Sequence, residues 1–134
     1  MNKKLSQLLN KRTKNIIGLL SGTSVDAVDA VLLQITGSGV NSRIKVIDFT
    51  SHPIPEKIRL AVFKNSDKKT AKIEDICRLN VILGAIFSDA VLKILQKNKL
   101  TASDIDLIGS HGQTIHHLPE KELYNGFHVK STMQ

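Results

Sequence analysis

The chain has 134 residues, of which 41% are hydrophobic and 23% are charged, and its formal net charge is +7. This length and balance indicate one modest soluble domain, and the single cysteine, Cys77, excludes an internal disulfide and fits a reducing cytoplasm. The short apolar runs predict no membrane span or signal peptide, and an aromatic content of 4% without Trp argues against a nucleic-acid partner.

Residues 1–14 form a basic leader, and residues 15–51 predict three strands. The leader is polar, so we expect it to be disordered and the domain itself to cover residues 15–134. Three apolar runs follow, separated by turns rich in Gly and Ser, and the third run alternates polar with apolar residues, which is the period of a half-buried strand. Tight turns between successive strands predict an antiparallel three-strand meander.

Two helices and further strands are predicted beyond the meander. Pro55 precedes a short helix over residues 56–64, a position where its missing N–H costs nothing. Apolar residues at helical spacing predict a long helix from about residue 71 to residue 97. Three elements complete the order: a buried strand over 106–110, a loop over 118–126 and the start of a strand at 127–129. The predicted core is Ile17, Leu19, Val31, Leu33, Val46, Leu83, Phe87, Val91 and Ile108.

The first group of residues suited to chemistry lies between the first two strands, at residues 22–29. A turn rich in Gly, Ser and Thr can point N–H groups and hydroxyls at a phosphate, and Asp26 or Asp29 can hold Mg²⁺ directly or through water. The spacing of a Walker loop and its lysine are absent, and no helix follows directly, as a Rossmann fingerprint requires. An ordinary turn with Asp caps is the alternative interpretation.

The second group, residues 110–117, follows the predicted strand at 106–110. His, Gln and Thr side chains supply donors and acceptors suited to sugar hydroxyls, and Gly112 permits close backbone approach. The histidines lack the spacing and the neighbouring Cys or carboxylate groups of a metal site. Each histidine taken alone is equally consistent with a satisfied loop residue.

Together these segments resemble one family. Residues 19–30, LLSGTSVDAVDA, are similar to the GLMSGTSMDGIDA opening of anhydro-N-acetylmuramic acid kinases. Residues 79–87 resemble the long-helix signature of that family, residues 110–119 resemble its SHGQTIxHxP block, and residues 131–134 resemble the TLQ that follows. The order and spacing of these segments match the family pattern from about residue 16 to the last residue.

The resemblance implies a two-lobed, actin-like sugar kinase, of which this chain is the N-terminal part of a ribonuclease-H-like α/β lobe. It implies that ATP, water and 1,6-anhydro-N-acetylmuramic acid give N-acetylmuramic acid 6-phosphate and ADP, in cytoplasmic cell-wall recycling. The general-base aspartate of the family lies beyond residue 134. The implied ATP–Mg²⁺ site is Gly22, Thr23, Ser24, Val25, Asp26, Ala27, Val28 and Asp29, with Asp26 on the metal. The implied sugar site is His111, Gly112, Gln113, Thr114 and His117.

Two departures from the family pattern bear on function. Ala27 stands where the family has Gly, which matters if that position needs a positive φ. The chain is also shorter than family members, so we expect the 134 residues alone to be inactive. We expect them to need the C-terminal part of the kinase as a partner, or to self-associate. The resemblance itself implies a homodimer. A non-catalytic module that binds phosphate or a partner chain at its sheet edge, and a small basic nucleic-acid binder, are the alternatives.

Overall fold

The computed structural model describes residues 3–133, and their side chains from Ser6 onward. Gln134, the last residue of the TLQ-like block, lies outside the described residues, as do Met1 and Asn2 of the leader. The helices and strands in chain order are α1 Lys3–Asn10, β1 Thr13–Leu20, β2 Ala27–Thr36, β3 Arg43–Pro53, α2 Glu56–Ser66, α3 Ile73–Lys97, β4 Leu107–Ser110, β5 His116–Tyr124 and β6 Phe127–Met133.

Four of the strands form one mixed sheet in the order β3-β2-β1-β4. β1 pairs with β2 and β2 pairs with β3, both antiparallel, which confirms the predicted meander. β4 joins the free edge of β1 in parallel, with Ile16 opposite Leu107 and Leu19 opposite Ser110. β5 and β6 form a separate antiparallel hairpin. The α/β class is confirmed, as is the order of three strands, two helices and further strands.

Helices α2 and α3 cover one face of this sheet and form the core with it. Every third or fourth residue of α3 is buried, so one stripe of the helix faces the strands. By length and composition alone α3 could cross a membrane, but 39% of its apolar window is buried inside the protein. The buried part of that window includes the stripe that packs on the sheet. The buried strand residues beneath the helices are Ile17, Leu19, Val28, Ala30 and Leu32.

Two parts of the predicted core are wrong. Strand β2 is apolar on both faces, and the structure turns Val28, Ala30 and Leu32 inward, so Val31 and Leu33 face the other side of the sheet. Val46 is exposed, and the predicted buried strand at 106–110 is β4, where Ile108 is 54% exposed. β4 lies at the sheet edge, where only one neighbouring strand shields it.

The two ends of the chain also differ from the prediction. Lys3–Asn10 is helical, where a disordered leader was expected, and β1 begins inside that leader at Thr13. The leader contains Lys, Leu and Gln and no Gly or Pro until the strands begin, so its residues favour a helix. Residues 116–124 form β5, although a loop was expected over residues 118–126, because the pair Asn125–Gly126 closes a two-residue hairpin.

This hairpin turn allows a direct test. Asn125 and Gly126 have φ of 48° and 86°, and a Cβ added at Gly126 meets nothing within 4 Å. Gly126→Ala is therefore expected to cost about 1–2 kcal/mol through left-handed backbone strain alone, measured as faster amide hydrogen exchange in β5 and β6. Gly84→Ala is the matched control, since Gly84 lies in α3 with equally open space and Ala favours a helix. Unchanged exchange in Gly126→Ala would contradict the assigned turn.

Candidate functional site

The two predicted functional segments meet at one edge of the sheet. β1 and β4 are parallel neighbours, so their carboxyl ends lie side by side. The backbone N–H of His111, just after β4, donates to the carbonyl oxygen of Leu19 near the end of β1 at 2.9 Å. The loop over residues 21–26 and the segment over residues 111–115 therefore start from adjacent positions. This edge is where α/β proteins place their ligands.

The loop over residues 21–26 is held by hydrogen bonds on both sides. Its Val25 N–H donates to the Gly22 carbonyl at 3.2 Å, and the Ile54 N–H, just after β3, donates to the Asp26 carbonyl at 2.8 Å. From α2, Arg59 Nε donates to the Ser24 carbonyl at 2.8 Å. These bonds fix the carbonyl groups inward, while Gly22, Thr23 and Ser24 stay exposed.

One loop residue adopts a backbone conformation that its side chain disfavours. Val25 has a φ of 53°, and its side chain is buried, only 2% exposed. A β-branched residue in the left-handed region is strained, and such strain persists only where the surroundings enforce it. Ala27 does not have a positive φ and is the first residue of β2. The replacement of the family Gly by Ala27 is thus compatible with this backbone.

The carboxylate of Asp26 is exposed and charged at neutral pH. The Ser24 hydroxyl donates to Asp26 Oδ1 at 2.6 Å. This hydrogen bond, those from the backbone N–H groups of Asp26 and Ala27, and the nearby charge of Arg59 hold the pKa of Asp26 below its usual range. Within the described part of the chain, no three His, Cys, Asp or Glu side chains are grouped to hold a metal. A single exposed carboxylate such as that of Asp26 can supply one oxygen ligand of a Mg²⁺ ion, whose other ligands would be phosphate oxygens and water.

The last three residues of the predicted phosphate segment lie in β2 rather than in the loop. Val28 is part of the core under the helices. Asp29 is on the other face of the sheet, where it lines a shallow cavity with Val31 and Phe49. The structure therefore brings Asp26, and not Asp29, next to the exposed loop residues.

Two neighbouring cavities share the second predicted segment. One, of about 410 Å³, lies between the loop over 21–25, the end of α2 and His111, Gln113 and Thr114. The other, of about 610 Å³, lies between the first half of α3 and residues 110–115. His111 and Gln113 line both cavities, and Gln113 is 5% exposed.

His117 is placed apart from the other predicted sugar-site residues. It lies on β5, and its Nδ1 pairs with the Thr132 hydroxyl across the hairpin. It lines neither of the two cavities that His111 and Gln113 share. The neighbouring His116 contacts the Ser66 carbonyl at the end of α2. His117 as a sugar-site residue stays a prediction that this geometry does not support.

Two residues of this site were not predicted. Ser21 is 4% exposed and lines the smaller cavity, and only its place in the Ser-Gly-Thr-Ser turn could have indicated it. Arg59 binds the loop, pairs with Glu56 and lies 5.3 Å over the Phe63 ring. An arginine on a helix face carries no such signal, because its contact depends on how the helix packs.

Comparisons with known proteins agree on one family. The family described as anhydro-N-acetylmuramic acid kinase matches residues 14–134. A kinase of that name from Caldanaerobacter subterraneus is 40% identical over 131 residues, which is 98% of this chain and 33% of the relative. Those from Clostridioides difficile and Bacillus cereus strain Q1 are 42% and 40% identical, over 88% and 89% of this chain and 30% of each relative. The chain thus spans about a third of these curated relatives.

Proposed function

Because the chain belongs to the anhydro-N-acetylmuramic acid kinase family, we propose that it supplies the phosphate loop and part of the sugar site of an ATP-dependent kinase. The proposed substrate is 1,6-anhydro-N-acetylmuramic acid, which the kinase opens with water and phosphorylates. The proposed setting is the cytoplasm, in an actin-like, two-lobed homodimer that recycles the cell wall. The observation that carries this proposal is the meeting of the loop over 21–26 with residues 111–115 at one sheet edge.

On the nucleotide side, the loop binds the phosphates and the cation, and Arg59 of α2 holds the loop in place. The backbone N–H groups of the exposed residues Gly22, Thr23 and Ser24, together with the Thr23 hydroxyl, bind the phosphate oxygens. Asp26, ionised at neutral pH, faces the cation, and Arg59 keeps the loop in place through the Ser24 carbonyl. Bound ATP supplies the phosphoryl group and Mg²⁺ neutralises its charge. The chain contributes positioning and fixed charge, which are the main elements of phosphoryl-transfer catalysis.

On the sugar side, residues 111–114 bind and orient the acceptor. His111 and Gln113 line both cavities, and the smaller cavity is also lined by the loop, so a sugar held there lies next to the phosphate-binding residues. Gly112 has a φ of 74°, which lets the chain turn sharply between these two side chains.

A hybrid kinase tests the proposal. In this hybrid, residues 14–134 of the chain replace the matching segment of the Caldanaerobacter relative. We expect ATP-dependent formation of N-acetylmuramic acid 6-phosphate, detected by mass spectrometry, with one ADP released per sugar. The relative itself is the positive control. A folded hybrid that binds neither ATP nor the sugar would contradict the proposal.

The role of Arg59 gives a separate prediction. Arg59→Met removes the hydrogen bond to the Ser24 carbonyl and retains the packing of the side-chain stem. Loss of one such bond is expected to raise the KM for ATP–Mg²⁺ of the hybrid kinase about fivefold. Arg78→Met is the matched control, since Arg78 is exposed on α3 and pairs only with Asp75 in the described bonds. If the two variants had equal KM values for ATP–Mg²⁺, Arg59 would be a surface residue of α2 with no role in holding the loop.

A further inference from the structure

Among residues 22–26 of the loop, Val25 alone is buried, with 2% of its surface exposed. Its side chain belongs to the hydrophobic core. The neighbouring Ser24 and Asp26 are exposed, and the Ser24 hydroxyl donates to the Asp26 carboxylate at 2.6 Å. Within this stretch, one apolar side chain therefore fixes the loop to the core, and the polar residues on both sides of it face outward.

The backbone of Val25 has a conformation that valine avoids. Its φ of 53° lies in the left-handed region, where a β-branched residue is an outlier and a glycine would be free of strain. Such strain persists only where the surroundings enforce it. Burial of the side chain can enforce it, because burying a Val side chain shifts a local equilibrium by about 10–100-fold. We call this buried side chain the Val25 anchor.

The carbonyl groups of the residues before and after Val25 are both bonded to other elements. Arg59 Nε, on α2, donates to the Ser24 carbonyl at 2.8 Å. The Ile54 N–H, just after β3, donates to the Asp26 carbonyl at 2.8 Å. A change in the φ of Val25 would turn the chain on one side of it relative to the other. Both hydrogen bonds therefore depend on the conformation that the Val25 anchor enforces.

We propose that Val25 is a positioning residue, whose buried side chain holds the loop over 21–26 in its phosphate-binding conformation before the nucleotide arrives. Without the anchor, the strained backbone relaxes, and only a fraction of the molecules presents the loop correctly. The apparent affinity for the nucleotide falls by the same fraction. This inference rests on the proposed function for the identity of the ligand, and it assigns no contact between Val25 and the nucleotide.

Amide hydrogen exchange of the 134-residue chain, without nucleotide, tests whether Val25 holds the loop. Val25→Ala removes the anchor and keeps a residue that disfavours positive φ. The N–H groups of residue 25 and of Ile54, which donate to the Gly22 and Asp26 carbonyls, are therefore expected to exchange at least about tenfold faster. Thermal melting shows whether the variant is folded.

Kinetics of the hybrid kinase test the consequence for the nucleotide. Val25→Ala is expected to raise the KM for ATP–Mg²⁺ about tenfold and to leave kcat within about twofold, because bound nucleotide itself restores the loop. Val25→Met supplies the residue of the family opening, which is apolar but not β-branched. Its longer side chain has room, since Val25 lines the cavity of about 410 Å³. We expect Val25→Met to exchange more slowly than the wild type at the loop and to have a KM no higher.

Ile94→Ala is the matched control, because it also truncates a fully buried, branched side chain, and Ile94 lines neither cavity of the site. It is expected to lower the melting temperature and to leave the KM for ATP–Mg²⁺ unchanged. An equal KM in Val25→Ala and Ile94→Ala would overturn the proposal, because loss of stability alone would then explain the effect. Loop exchange in Val25→Ala no faster than in the wild type would also overturn it.

The remaining outcomes are decided by the second variant and by the absence of nucleotide from the exchange measurement. If Val25→Ala does not fold, slower loop exchange in Val25→Met supports the proposal, and equal or faster exchange overturns it. Faster loop exchange in Val25→Ala, together with a wild-type hybrid that binds no ATP–Mg²⁺, would instead overturn the proposed kinase function alone.

Discussion

Asp26→Asn is expected to lower kcat of the hybrid kinase by about 10²–10³-fold, with little change in its stability. The substitution keeps the shape of the side chain and removes the carboxylate charge beside the exposed Ser24, whose hydroxyl donates to Asp26. Groups that face charge developing during the reaction typically contribute this much to rate. Thr23→Ala is expected to act in the same direction, since it removes a hydroxyl that we propose binds the phosphates. Steady-state kinetics at saturating ATP and Mg²⁺ measure both effects.

Two further variants separate this effect from a general loss of negative charge. Asp89→Asn is the matched control, because Asp89 is exposed on α3, away from the loop. Asp29→Asn decides between the two aspartates that the sequence proposed, and its place on the other sheet face predicts a much smaller effect than that of Asp26→Asn. Wild-type kcat in Asp26→Asn would show that the loop over 21–26 is an ordinary turn.

The pH dependence follows from the lowered pKa of Asp26. A carboxylate with a depressed pKa stays ionised to lower pH than usual, so its charge is constant from neutral pH upward and is lost only when the pH falls through the folded-state pKa. We therefore expect no step in ATP–Mg²⁺ affinity from Asp26 between about pH 6 and 8, where an unperturbed Asp is also ionised. In Ser24→Ala the acidic limb of the affinity profile should move to higher pH, because the hydrogen bond that lowers the pKa is gone.

Ile94→Ala is expected to lower the free energy of unfolding by about 2–5 kcal/mol. Ile94 is 0% exposed and lies on the stripe of α3 that packs on the sheet. Because its surroundings are closely packed, truncation loses apolar burial and leaves a cavity. Urea denaturation followed by circular dichroism measures the change. Such a loss is a large fraction of the stability of a single domain.

The control for this prediction lies two residues away on the same helix. Leu92→Ala removes as many carbon atoms as Ile94→Ala, but Leu92 is 59% exposed. Its cost is expected to stay within about 0.5 kcal/mol, as is usual for surface positions. Similar costs for both variants would mean that α3 does not pack on the sheet by the stripe described above.

The elements with a clear hydrophobic period were predictable, and those without one were not. α3 and the alternating β3 were assigned from spacing alone. Apolar residues occupy both odd-numbered and even-numbered positions of β2. The hydrophobic period therefore could not decide whether Val28 or Val31 faces the core. β5 is rich in charged residues and exposed along most of its length, so only the Asn125–Gly126 pair indicated a strand there.

The two halves of the site could each be predicted from the sequence, but their relation could not. Motif resemblance identified the loop around Asp26 and the segment around Gln113. Their contact depends on the parallel pairing of β1 with β4, which no local pattern encodes. The contact of Arg59 with Ser24 likewise exists only once α2 and the strands have packed.

The pairing of β1 with β4 also bears on the order in which the protein folds. The Asn15 N–H donates at 2.8 Å to the Asp106 carboxylate, 91 positions along the chain, whereas β1, β2 and β3 are joined by short turns. Hairpins close in about 1–10 μs, and contacts between distant residues come later because a long loop must close first. We expect the loop over 21–26 to form early and its contact with residues 111–115 to form last. A ligand that binds both segments, at a concentration of about 100 times its Kd, would then raise the free energy of opening this late contact by about 2.7 kcal/mol.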